Sequence, residues 1–76
     1  MNYKEIFGKN LLYLRKEQHM SQTQLADVLG LNYRTIGMIE RGRNAPSFEL
    51  FIKVSEYFGV SLDCLVGENI AAKEYK

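Results

Sequence analysis

The chain has 76 residues and a formal net charge of +1 at pH 7, which suits one small domain and excludes two. A core this small must be dense to hold, and 46% hydrophobic with 12% aromatic residues meets that need. A single cysteine, Cys64, excludes an intrachain disulfide and suits a reducing cytoplasm, while neither a secretion signal nor an apolar run of membrane-spanning length is present.

From about Tyr3 to Gln18, the residues Ile6, Phe7, Leu11 and Leu14 recur at helical spacing and predict a first helix, interrupted only by Gly8. His19 and Met20 lead into Ser21, a helix N-cap that Gln24 completes as a Ser-x-x-Gln capping box. Leu25, Ala26 and Leu29 then share one helical face, and Gly30 stands where a C′ residue must turn left-handed. Asn32 caps the next helix, Ile36 and Ile39 form its apolar face, and Gly42 ends it. Arg43-Asn44-Ala45-Pro46 reads as a loop. Ser47 caps a fourth helix with Phe48, Phe51, Val54, Tyr57 and Phe58 on its apolar face, Leu50 flanking that face and Gly59 closing it. Ser61 caps a last short helix carrying Leu62, Leu65 and Val66, stopped by Gly67. Residues 68–76 are polar with scattered Ile70, Ala71, Ala72 and Tyr75, a tail that frays, extends the last helix or binds a partner. No strand-like alternation or repeat appears. The expected fold is all-α, a five-helix domain over residues 1–67 with a C-terminal tail over 68–76.

Charge is spread unevenly along this frame. Residues 32–48 hold Arg34, Arg41 and Arg43 against Glu40 alone, whereas residues 49–76 hold three lysines against five acids. Positive charge therefore gathers on the third helix and its exit loop, and the acidic end should face away from a polyanion. An enzyme fares badly on these residues. His19 and Cys64 lie in segments that the expected fold separates, so no nucleophile, base and orienter converge. One His and one Cys also fall short of the four ligands of a structural zinc site. No Gly-rich phosphate loop follows a strand. No catalytic site, metal or cofactor is expected, and Cys64 reads as a small buried hydrophobe.

Taken together, Ser21-Gln22, Leu25-Ala26, Leu29-Gly30, Ile36, Ile39-Glu40-Arg41-Gly42, Pro46-Ser47 and Val60-Ser61-Leu62-Asp63-x-Leu65 resemble the phage-repressor/Cro (XRE-type) family of helix-turn-helix DNA-binding proteins. The resemblance spans residues 6–66 and implies a repressor-like domain whose second and third helices, about 21–42, form the helix-turn-helix. It places base contacts on Tyr33, Arg34, Gly37 and Met38. Arg34 can donate twice to guanine N7 and O6, and Tyr33 offers a ring edge and a hydroxyl. Gly37 allows close approach to the groove, while Met38 either touches bases or packs on a neighbouring helix. Phosphate contacts would come from Gln22 at a helix N-terminus, extended by Thr23, Asn32, Thr35, Arg41, Arg43 and Asn44. The family pairs a glutamate at the position of Glu40 with an arginine at that of Arg15, implying a structural ion pair that ties the recognition helix to the scaffold. The implied function is a cytoplasmic, sequence-specific transcriptional regulator of double-stranded DNA, a homodimeric repressor on a palindromic operator. Leu62, Val66 and Ile70 are its expected dimer surface. The alternative is an antitoxin, or another module whose main task is a protein partner held at the tail and whose DNA binding is autoregulatory. No membrane partner is expected.

Overall fold

Short polar side chains decide where the helices begin. In the computed structural model, which describes residues 2–67, the Asn2 side chain accepts from the Glu5 N–H at 2.9 Å and opens α1, Tyr3–Glu17. Ser21 accepts from Gln24 N–H at 3.0 Å while the Gln24 side chain accepts from Ser21 N–H at 2.8 Å, a complete capping box ahead of α2, Gln22–Leu29. Asn32 caps α3, Tyr33–Glu40, and Ser47 caps α4, Phe48–Phe58. Ser61 Oγ accepts from Cys64 N–H at 3.1 Å in the first turn of α5, Leu62–Gly67. Each cap satisfies an N–H that the helix itself leaves unpaired, and is worth about 1 kcal/mol. Among the described residues there are no strands.

The helix ends are equally local. Gly30 and Gly42 adopt φ of +72° and +76°, a conformation without steric cost only for glycine. The following N–H groups, of Leu31 and Arg43, then bond back to the carbonyls of Ala26 and Met38. This is the Schellman pattern. α1 ends the same way, with Met20 N–H bonding to Arg15 carbonyl, yet its left-handed residue is His19, at φ +56°.

Burial settles which faces meet. Phe7, Leu11 and Leu14 of α1, Leu25, Ala26 and Leu29 of α2, Ile36 and Ile39 of α3, Leu50 and Val54 of α4, and Leu65 of α5 form one apolar core. α1 runs between α3 and α5, while α2 lies against α3 and α4. The Phe7 and Phe51 rings meet at 4.9 Å in a tilted pair, and Lys53 Nζ donates to the last carbonyl of α2, Leu29, at 3.4 Å. Asn10 is wholly buried, and its amide donates to the carbonyls of Cys64 and Leu65 at 3.2 and 2.9 Å. Those carbonyls stand in a helix too short to satisfy them internally.

Two expectations for α4 and one for α5 are corrected. Phe48 and Tyr57 are 74% and 48% exposed and do not belong to the core. The inward stripe is held by Leu50 and Val54, with Phe51 and Phe58 packed at its edge, and the other two aromatics fall on either side of it. Cys64 is half-buried rather than buried.

Candidate nucleic-acid interface

α2, the turn at Gly30 and α3 place one short helix with its inner face locked and its outer face open. Ile36 and Ile39 are buried, whereas Tyr33, Arg34 and Arg41 are exposed and Met38 is half-buried. Asn32 holds the start of α3 by accepting from Arg34 N–H at 2.7 Å. The Arg34 guanidinium lies 5.7 Å from the centre of the Tyr33 ring, a cation–π contact that restrains a long side chain at the first turn of the helix.

The carboxylate of Glu40 does not oppose this positive face, because it is turned inward and shared. Arg15 Nε donates to Glu40 Oε2 at 2.6 Å and Arg15 Nη2 to Oε1 at 3.0 Å. Both side chains are nearly buried, at 11% and 4% exposure. The third nitrogen, Arg15 Nη1, donates to the Met20 carbonyl at 2.9 Å. Gln22 Nε2 reaches the same Glu40 Oε1 at 3.0 Å. One guanidinium thereby ties α1, the connection before α2, and α3, and the amide adds the start of α2. Such a fork of charge-assisted bonds fixes angle as well as distance.

Around this pivot the remaining residues are distributed as follows. Gly37 is buried beneath the side chains of Gln22 and Arg41. Thr23 is exposed at the start of α2, Asn32 is exposed while capping α3, and Thr35 is half-buried. Arg43 and Asn44 are exposed in the loop after α3. Leu62 is 36% exposed on α5, whereas Val66 is half-buried against the core. Ile70 and the tail lie outside the described residues. Among the described residues no group of His, Cys, Asp and Glu could hold a metal, and no helix is long and apolar enough to cross a membrane.

Three residues take structural roles here that the sequence reading does not assign to them. Gly8 is buried against the backbone of α3. Asn10 holds α5, and its signal was a polar residue on the buried stripe of Phe7, Leu11 and Leu14. His19 takes the left-handed place between α1 and α2, with no sequence signal beyond its location at a helix end.

The helix-turn-helix family model HTH_3 matches residues 11–63. An uncharacterised HTH-type transcriptional regulator of Methanocaldococcus jannaschii is 38% identical over 70% of this chain and 80% of its own length. The immunity repressor protein of Bacillus phage phi105 is 33% identical over 88% of the chain, and the antitoxin PezA of Streptococcus pneumoniae is 31% identical over 84%. The matches span only 46% and 40% of those two proteins. Among solved structures, the restriction-modification controller protein C.AhdI from Aeromonas hydrophila superposes with a TM-score of 0.72 at 29% identity, covering 82% of this chain and 94% of that one.

Proposed function

This chain belongs to the XRE-type helix-turn-helix family of DNA-binding transcriptional regulators, and we propose that it acts there as a homodimeric repressor reading a palindromic operator through the major groove. The observation that carries this reading is the outer face of α3. It presents Tyr33, Arg34 and Arg41, and the helix's one carboxylate is withdrawn into the Arg15–Glu40 pair. A groove lined by phosphate favours such a face. In this reading Tyr33, Arg34 and Met38 meet base edges, and Arg34 takes guanine N7 and O6. Gln22, Thr23, Asn32, Thr35, Arg41, Arg43 and Asn44 set register on the phosphates. Leu62 and Val66 of α5, together with Ile70, which lies outside the described residues, are assigned to the dimer surface, and the domain spans residues 1–67 with 68–76 as its tail.

Selection of bound sequences from a random duplex pool at physiological salt is the test. Enrichment of a two-fold symmetric motif, its half-sites about 34 Å apart on one DNA face, is the expected result. Salt-sensitive binding without any motif would refute the sequence-reading role, and sedimentation as a monomer alone, with and without DNA, would refute the dimer.

The likeness to antitoxin PezA favours a second reading, in which residues 68–76 hold a protein partner and DNA binding is autoregulatory. Deleting those residues would then abolish partner capture while sparing DNA binding by the domain. Loss of dimerisation on the same deletion, with no partner affected, would favour the repressor.

A further inference from the structure

α1 packs against α3 and α5, and it does so with opposite flanks. On one flank Gly8 lies against the backbone of α3. Arg15, two helical turns further along that flank, grips Glu40 of the same helix. Asn10 follows Gly8 by two residues, about 200° around the helix, which sets it on the other flank of the buried stripe of Phe7, Leu11 and Leu14. There its amide nitrogen donates to the carbonyls of Cys64 and Leu65 in α5, at 3.2 and 2.9 Å, and the side chain is wholly buried.

α5 has six residues, and its carbonyls from Cys64 onward are the four that no N–H within the helix satisfies. One bond to so short a helix would let it swivel. Two bonds from a single amide to consecutive carbonyls, about 100° apart around the axis, fix its rotation as well as its distance. Rotation decides which side chains α5 presents. Leu65 is wholly buried, whereas Leu62 and Val66, one turn apart on another face, are 36% exposed and half-buried.

We propose that Asn10 is a positioning residue for DNA recognition: by fixing α5 on the helix that also carries α3, it sets the separation of the two recognition helices in the dimer, and with it the half-site spacing the protein accepts. This deepens the reading above and rests on its dimer surface at Leu62 and Val66. Each base pair inserted between half-sites moves one of them by about 3.4 Å and turns it by about 35°. A dimer with α5 held rigidly cannot follow that movement, but one whose α5 swivels can. Asn10 therefore governs spacing discrimination and not the affinity for a half-site.

The test uses the full chain as wild type, Asn10→Leu, which keeps the volume and removes both donors, and Asn10→Ser, which keeps one donor on a shorter side chain. Folding is checked by circular dichroism. Affinity is then measured on a duplex with one selected half-site, and on duplexes with two half-sites at the selected spacing or with one or two base pairs inserted. The wild type is expected to discriminate sharply against altered spacing. Either variant that folds should keep its affinity for the single half-site and lose about tenfold in spacing discrimination, the scale of one or two hydrogen bonds. Wild-type spacing discrimination in a folded variant would overturn the proposal, as would equal weakening on single and paired half-sites or failure of both variants to fold. A wild type that binds only as a monomer, or without spacing preference, would overturn it together with the dimer reading.

Discussion

A side-chain carbon at Gly8 of α1 would stand 2.9 Å from the carbonyl oxygen of Glu40 on α3, and nearer still to that of Ile39. The two helices cross backbone to backbone at this point, and the carbonyls of α3 leave no room for a methyl group. Glycine inside a helix costs about 1 kcal/mol relative to alanine, and here that cost is offset by the close crossing that sets the recognition helix on the scaffold.

Gly8→Ala tests the crossing directly. Propensity alone predicts a gain in stability; the contact with α3 predicts a loss of about 1–3 kcal/mol, because backbone cannot swing aside as a flexible side chain does. Urea unfolding should therefore show a lower midpoint with an unchanged slope. A stabilised Gly8→Ala variant would refute the close approach.

Glu40→Gln leaves the Arg15 guanidinium buried beside a neutral group, and should destabilise the fold by about 3 kcal/mol. Replacing both partners, Arg15→Met with Glu40→Leu, should recover most of that loss, since an apolar pair of similar volume carries no uncompensated charge. The double variant nonetheless deprives Gln22 of its acceptor. Folding by circular dichroism and DNA affinity by titration should then part company, with stability largely restored and affinity still reduced.

Arg34→Ala is expected to lose about 1–3 kcal/mol of binding and to relax preference at one base position. Arg43→Ala, in the exposed loop after α3, should instead weaken all sequences alike and lower the salt slope by about one unit. Competition titrations on matched and mismatched duplexes at several salt concentrations separate the two. Reversed behaviour of the pair would exchange their roles.

His19→Gly should stabilise the protein. An L-residue held in the left-handed region costs about 1–2 kcal/mol, which exceeds the extra freedom that glycine brings to the unfolded chain. The net gain of about 0.5–1 kcal/mol would appear as a rise of several degrees in Tm for a domain of this size. A fall in Tm would mean that the His19 side chain makes a stabilising contact outweighing its backbone cost.

The helices themselves, their order and their ends are legible in the sequence because the interactions that define them are short in range. Ser21 and Gln24 cap each other across three residues, and Gly30 and Gly42 need only their own φ to end α2 and α3. The exposure of Tyr33 and Arg34 follows likewise, from the 3.6-residue period that turns Ile36 and Ile39 inward. The pairing of Arg15 with Glu40 was implied only by the family resemblance, since nothing in the spacing of two residues 25 apart makes them meet.

What tertiary structure alone decided are the relationships between distant segments. Asn10 satisfies carbonyls 54 and 55 residues away, and no local pattern names its partner. Phe48 and Tyr57 look like core aromatics by their spacing, yet α4 packs on α2 and α5 through Leu50 and Val54 and leaves those two rings exposed. The place of Gln22 is of the same kind, because its amide reaches the Glu40 carboxylate of another helix, 18 residues further along the chain. Periodicity and capping determine which residues can face a neighbour; only packing determines which neighbour arrives, because that choice is made by volumes and hydrogen-bond partners contributed from the far end of the chain.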